Sequence, residues 1–250
     1  LKINIINLLF ALIPVSFIAG NLILNINIVL FIVIVLFFYG KDLFSLKFRF
    51  LDKFIIIFFC YTLLTSFYNN IFIFSDDKTP NDYTIIIKSI FYTRFLILYF
   101  IFKFLIEKDL IKLKYFFISS TVFSIFVCLD LIYQFNFGKD IFGYKVHPRR
   151  LSGPFGDELI AGSYLQRFSF FSFFLLPIFF NLKNKKIYYA SFVILLCLII
   201  FSLALSGNRI PFIMFIIMMV VVLLLERETR KFIVSFLILF SIIFMVAYNM

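Results

Sequence analysis

The chain has 250 residues, of which 64% are hydrophobic and only 15% are charged. A soluble globular domain carries about 25% charged residues and about 45–50% apolar ones. This composition excludes an ordinary soluble domain and indicates an integral membrane protein. The net charge of +11 could suggest a nucleic-acid partner. Most of the cations, however, fall in short loops between apolar runs, so no nucleic acid is expected.

Apolar runs of about 20 residues follow one another along the chain, and each is long enough to cross a bilayer core of about 30 Å. The runs are continuous and do not alternate with period 2, so they are predicted to be helices. We therefore expect an all-α, polytopic bundle of about nine membrane-spanning helices, forming one transmembrane domain over residues 1–250. The predicted spans are residues 4–20, 23–39, 54–74, 84–106, 115–135, 159–181, 187–206, 209–225 and 232–250.

Lys and Arg are concentrated in the loops after the second, fourth, sixth and eighth predicted spans, and these cations include Lys47, Arg49, Lys103 and Lys108. Because cytoplasmic loops carry the excess of positive charge, this pattern places the N-terminus in the cytoplasm. One predicted external loop, residues 136–158, breaks the rule, which indicates that its cations have a separate use. They are Lys139, Lys145, Arg149 and Arg150.

Ionisable residues inside predicted spans are costly and suggest either a function or an internal partner. Lys88 lies near a span end and can extend its amine to the interface. Arg94 lies deeper, and Asp130 in the next span is its expected partner in a structural ion pair, with a catalytic role as the alternative. Arg167 lies two turns into its span on the outer side, where it could contact a ligand.

The segment 145–167 is the most polar part of the chain. Gly153, Pro154 and Gly156 predict a turn. Asp157 is then expected to be the N-cap of the sixth span, so that this helix N-terminus faces outward. Arg149 and Arg150 come immediately before the turn.

A second polar site follows at residues 206–211. Ser206 or Asn208 is expected to cap the eighth span, and Pro211 is tolerated in a first helical turn. Arg209 would then lie at another outward-facing helix N-terminus. Two such N-termini with Arg side chains predict an anion site, since guanidinium groups suit phosphate. The alternative is that Arg209 only anchors its helix among the lipid headgroups.

The acidic residues of the same loop leave several roles open. Asp157 and Glu158 could act as a base, bind a cation or hold the Arg side chains in place. His147 is interpreted as a solvated loop residue rather than a catalyst. The three Cys lie in apolar runs without the spacing of a metal or redox site, so no metal and no cofactor are expected.

The string Arg-Leu-Ser-Gly-Pro-Phe-Gly-Asp-Glu, which starts at Arg150, resembles the Arg-x-Ser/Thr-Gly-x-Phe loop of the O-antigen ligase and polymerase family. The string Leu-Ser-Gly-Asn-Arg, which ends at Arg209, resembles the Ser-x-x-Arg of that family at the head of a later span. The polytopic pattern and the order of the motifs also agree. The resemblance covers roughly residues 50–250.

This resemblance implies a glycosyltransferase of the bacterial inner membrane with its active face in the periplasm. Its donor would be an undecaprenyl-diphosphate-linked glycan, and its acceptor a lipid A core or another repeat unit. The reaction would be metal-independent and inverting. Arg150 and Arg209 would bind the diphosphate, with Arg149 and Arg167 as further candidates, and Glu158 is the only nearby candidate for the base.

The family also has a large periplasmic loop with a functional His, which would follow at about this point. We therefore expect the chain to be a fragment that lacks further spans at its C-terminus and is inactive alone. Two other functions are kept open from the residues themselves. One is a transporter or flippase for an anionic or lipid-linked solute, and the other is a polytopic polymerase of cell-wall glycan.

Overall fold

The computed structural model describes residues 2–43, 45–70, 84–147, 150–179 and 185–225. Within these ranges the chain is helical, with one short 3-10 turn and two isolated β-bridges as its other regular features. The helices, in chain order, are α1 (Lys2–Ala11), α2 (Ile13–Ile18), α3 (Asn21–Leu43), α4 (Phe50–Tyr68), α5 (Thr84–Tyr92), α6 (Arg94–Glu107), α7 (Leu113–Phe137), α8 (Ala161–Phe168), α9 (Phe171–Phe179), α10 (Lys185–Leu205) and α11 (Arg209–Leu225).

Five helical segments in the described part of the chain are long and apolar enough to cross a membrane. Three are complete helices, and a fourth is α10 without its first two residues. The fifth combines α5 and α6 across a turn at Thr93. Their positions agree with the second, third, fourth, fifth and seventh predicted spans. The prediction of a helical membrane protein is confirmed. The segments are Asn21–Leu43, Phe50–Tyr68, Thr84–Glu107, Leu113–Phe137 and Ile187–Leu205.

Nine continuous spans are not found in the described ranges, because two predicted spans are broken helices. The first predicted span is divided at Leu12, and α2 begins with Pro14 as its second residue. Proline has no N–H for the preceding turn, which accounts for a break here. The sixth predicted span is divided at residues 169–170. There the Ser169 hydroxyl donates to the Leu165 carbonyl, a side-chain bond that competes with regular helix.

The last two predicted spans differ for other reasons. Helix α11 has 17 residues. At about 1.5 Å per residue it is about 26 Å long, slightly less than the bilayer core. The predicted span 232–250 lies outside the described residues.

The chain divides into two compact units. The first unit comprises residues 1–9 and 28–112, and the second comprises residues 10–27 and 113–250. Both are built from apolar helices. The expectation of a single transmembrane domain over residues 1–250 stays a prediction, because two compact units can belong to one such domain.

The first unit contains a buried ion pair at the start of α4. The Asp52 side chain is almost completely buried and pairs with the amine of Lys103 on α6. The Tyr99 hydroxyl donates to the other carboxylate oxygen of Asp52 at 2.6 Å, and the Arg49 N–H also donates to this carboxylate. The Lys103 amine donates in addition to the Lys47 carbonyl at 2.6 Å. This network fixes the segment between α3 and α4 to α6.

In the second unit, α7 packs against α2, α8, α9 and α10. Its buried face carries Ser120, Ser124 and Cys128, which are four residues apart. Ser172 on α9 and Ser202 on α10 are buried as well. Small side chains allow membrane helices to approach closely. The C-terminal end of α7 leads into the polar loop, so the packing of α7 determines where that loop lies.

We predict that Lys103→Met lowers the unfolding temperature in detergent by several degrees, because it leaves the buried Asp52 carboxylate without its ion-pair partner. The double variant D52L/K103M should recover much of this loss. Lys53→Met is the matched control, since Lys53 is exposed on the same helix as Asp52. Equal unfolding temperatures for K103M and K53M would contradict a structural role of the pair.

Candidate anion site at the polar loop

The polar loop begins with a short hairpin after α7. The Asp140 carboxylate accepts from the Tyr144 N–H at 2.6 Å, and the Asp140 N–H donates to the Tyr144 carbonyl at 3.0 Å. Lys139 and Lys145 form a β-bridge beside this turn. Gly143, within the turn, has a φ of 92°. An Asp followed closely by Gly is a recognised turn signal, so the hairpin could have been predicted from sequence.

Two buried polar side chains of α7 hold the loop on both sides of Arg150. Asp130 accepts from the Ile141 N–H at 2.8 Å, which ties down the hairpin. Gln134, one turn later, accepts from the Gly153 N–H at 2.9 Å and donates to the Ser152 hydroxyl at 3.3 Å. Both side chains are fully buried. Arg150 is therefore carried by a short segment with fixed ends.

The expected turn is present, but Asp157 does not cap the next helix. Gly153–Phe155 form a 3-10 turn, and Gly156 follows with a φ of 62°. The backbone then makes non-helical bonds, including one from the Ile160 N–H to the Glu158 carbonyl at 2.9 Å. Helix α8 consequently begins only at Ala161, with Ile160 as its N-cap and no side-chain cap. The prediction for Asp157 was wrong because the turn continues past it.

The turn before α11 is packed tightly against the start of α8. A Cβ atom added to Gly162 would lie 2.7 Å from the Ser206 hydroxyl oxygen and 2.8 Å from the Asn208 Cβ. The Asn208 amide donates to the Leu159 carbonyl at 3.1 Å. Only glycine at position 162 permits this approach. The two polar segments that sequence motifs singled out are thus joined at α8.

Helix α11 begins at Arg209, as expected, but the predicted caps have other partners. The Asn208 amide donates to the Leu159 carbonyl, just before α8, and the Ser206 hydroxyl donates to the Leu203 carbonyl at 2.7 Å. Pro211 has no N–H to offer in this first turn. In the described part of the chain, no side chain caps the N–H groups of Arg209 and Ile210. The first turn of a helix has such unpaired donors and a positive dipole end.

Arg150 and Arg209 line the same cavity, which has a volume of about 470 Å³. Both side chains are exposed. The remaining described residues of its lining belong to the turn and the start of α11, namely Gly207, Asn208, Ile210 and Pro211. The cavity therefore combines two guanidinium groups with a helix N-terminus. This combination suits a bound anion with more than one oxygen.

Other predicted site residues lie away from this cavity lining. Glu158 is exposed and is not part of it. Arg167, in the last turn of α8, is exposed and lies 5.7 Å above the ring of Phe17. His147 is exposed, and its carbonyl accepts from the Arg150 N–H at 3.3 Å. Arg149 lies outside the described residues.

The expected ion pair between Arg94 and Asp130 stays a prediction. Arg94 belongs to the first compact unit, where its guanidinium lies 4.9 Å from the centre of the Phe95 ring. Asp130 belongs to the second unit and accepts from the Ile141 N–H. Asp130 therefore has a structural role in holding the hairpin that the sequence did not suggest.

An aromatic cluster packs around α8. Tyr164 is fully buried, and its ring lies 5.7 Å from the Phe17 ring and 5.4 Å from the Phe155 ring. Phe168 completes the cluster at 4.8 Å from Tyr164. Such ring pairs stabilise packing beyond the burial of their area. The cluster fixes α2, α8 and the 3-10 turn to one another.

Comparisons with protein families, with curated proteins and with solved structures found no match to the chain. The cavity geometry and the two sequence motifs that meet there are the features that point to a function.

We predict that Gly162→Ala displaces the turn at residues 206–209, because its methyl group would overlap Ser206 and Asn208. Overpacking of this kind costs about 1–3 kcal/mol. The unfolding temperature in detergent should fall accordingly. Gly40→Ala is the matched control, since a Cβ there meets nothing within 4 Å and the residue is helical. An unchanged unfolding temperature for G162A would contradict the close contact.

Proposed function

We propose that the protein is a membrane glycosyltransferase that takes a glycan from an undecaprenyl-diphosphate donor and passes it to a lipid A core or to another repeat unit. The cavity that Arg150 and Arg209 share carries this proposal. Each Arg belongs to a motif that resembles the O-antigen ligase and polymerase family. The two motifs are far apart in sequence, so their meeting at one cavity is an independent argument for a common ligand.

The chemistry of glycosyl transfer accounts for such a cavity. The acceptor hydroxyl oxygen forms a bond to the anomeric carbon while the bond from that carbon to the diphosphate oxygen breaks. The bonding electrons remain on the diphosphate, and the hydroxyl proton passes to a base. Guanidinium groups and the N-terminus of α11 would stabilise the growing negative charge, and one such donor typically contributes about 3–4 kcal/mol.

The assignment of the remaining residues follows from their places. Glu158 stays the candidate base. It is exposed but does not line the cavity, so the acceptor hydroxyl would have to reach both Glu158 and the sugar bound at the cavity. Arg149 stays a candidate diphosphate ligand from its sequence position. Arg167 also stays a candidate from its sequence position; its exposed guanidinium lies over the Phe17 ring and does not line the cavity.

The location and topology belong to the same proposal. The family resemblance supports a bacterial inner-membrane location, and the positive-inside pattern supports a cytoplasmic N-terminus with the cavity open to the periplasm. In this arrangement α1 with α2, and α8 with α9, would each cross the membrane as a broken helix, which retains nine spans. A polyprenyl tail would lie along Phe-rich helix surfaces, of which the chain has many, with 42 Phe in all.

A direct test is glycan transfer by membranes that contain the full-length protein with Arg150→Ala or Arg209→Ala. We expect each variant to lose about a hundredfold or more in transfer rate, because each removes one charged donor from the diphosphate. The double variant should lose little beyond either single one, since the two residues act on one leaving group. Transfer is measured by mass spectrometry of the glycosylated acceptor.

Lys145→Gln is the matched control for this test, because Lys145 is an exposed cation of the same loop that does not line the cavity. All variants are compared at equal amounts of membrane-inserted protein, and their unfolding temperatures are measured to confirm that they remain folded. Transfer by the double variant at the wild-type rate would refute the assignment. A loss for K145Q equal to that for R150A would show that only the loop charge matters.

Transport is the second candidate, and the broken helices favour it. Discontinuous helices whose N-termini point at an anion are typical of secondary transporters. The breaks at Leu12 and at residues 169–170 make two helices discontinuous, which is the first part of this description. Uptake of a lipid-linked or soluble anion into proteoliposomes, without a glycosylated product, would support this candidate over the first.

A further inference from the structure

A second site lies in the first compact unit, at the connection between α3 and α4. Residues 46–49 of this connection have no regular secondary structure, and Arg49 has an extended backbone with φ −97° and ψ 168°. Alternate side chains of an extended chain point to opposite sides. Phe48 lines one cavity, Lys47 and Arg49 line another, and Leu46 lines both. The segment thus separates an apolar cavity from a basic one.

The apolar cavity has a volume of about 400 Å³, and its described lining residues all have hydrocarbon side chains. Leu46 and Phe48 form one wall, and the Phe48 ring packs edge-on against Phe100 at 5.5 Å. The opposite walls come from α3 and α6, with Leu36 and Ile97 among their residues. Its volume falls within the range of ligand pockets, about 300–1,000 Å³.

The basic cavity has a volume of about 390 Å³. It is lined by Lys47, Arg49 and Lys108, with Glu107 as its one carboxylate in the described lining. Glu107 pairs with Arg49 at 3.2 Å, so the charge left over is positive. Leu46 lines this cavity as well as the apolar one, which makes the two cavities adjacent.

Hydrogen bonds from two neighbouring helices hold the connection in place. The buried Asp52 accepts from the Arg49 N–H, and the Lys103 amine donates to the Lys47 carbonyl. Lys47 and Arg49 contribute only backbone atoms to these bonds, so their side chains stay available for a ligand. The pair of cavities is therefore preformed, which reduces the entropic cost of binding.

We propose that these two cavities together bind one anionic phospholipid. Its phosphate contacts Lys47, Arg49 and Lys108, and one acyl chain occupies the apolar cavity. An amphiphile is favoured over a soluble phosphate because a hydrocarbon-lined cavity adjoins the basic one at Leu46. The connection joins two helices that are long enough to span a membrane, which places it at headgroup level. This site is independent of the proposed glycosyl transfer.

The test uses native mass spectrometry of the purified full chain in detergent, titrated with dioleoyl phosphatidylglycerol or dioleoyl phosphatidylethanolamine. We expect tighter binding of one molecule of the phosphatidylglycerol. Each removed cation should weaken it about fivefold, so that K47Q/R49Q loses roughly 25-fold. Phe48→Ser should also weaken it, because it opens the apolar cavity. The matched control is Lys53→Gln, an exposed cation nearby that lines neither cavity.

Three results would overturn the proposal. The first is equal affinity for the two lipids, which indicates ordinary boundary lipid. The second is an equal loss for K53Q and K47Q, which indicates a diffuse surface charge. The third is competition by soluble glycerol phosphate at the concentration of the lipid, which indicates a simple phosphate site. Unfolding temperatures of all variants are measured in parallel, and the exposure of Lys47, Phe48 and Arg49 predicts that they remain folded.

Discussion

The contact between α8 and the turn before α11 is the interaction on which the candidate anion site depends. Without it, Arg150 and Arg209 would belong to two unrelated segments of the chain. Gly162 allows the two backbones to meet, and the Asn208 amide locks the approach by donating to the Leu159 carbonyl. The position of Arg209 is therefore set by the close contact at Gly162 and not by a helix cap.

A second constraint comes from the cost of unpaired backbone groups in a membrane. Loops at membrane depth are tolerated only where protein or water satisfies them. In the polar loop, the backbone N–H groups of Ile141 and Gly153 are paired with the buried side chains of Asp130 and Gln134. A polar helix residue that looks like a candidate for catalysis can thus be needed simply to hold a loop.

Sequence reasoning predicted the class of protein, five of the spans and the proximity of Arg150 and Arg209, which line one cavity. These features depend on composition, run length and local motifs, all of which are visible in one chain. It did not predict the broken helices, because the apolar run continues through Ser169 without a change in composition. It also missed Gln134 and Gly162, because their partners are far away in sequence and only the fold brings them together.

The cations between α3 and α4 and at the end of α6 have a consequence for biogenesis. In the proposed topology, the positive-inside rule would let these residues orient the nascent chain before any tertiary contact exists. Once folded, Lys103 pairs with the buried Asp52, and Arg49 pairs with Glu107 at the surface at 3.2 Å. The same charges would then act first as a topology signal and later as tertiary partners, so that charge swaps at these positions would perturb insertion and packing at different stages.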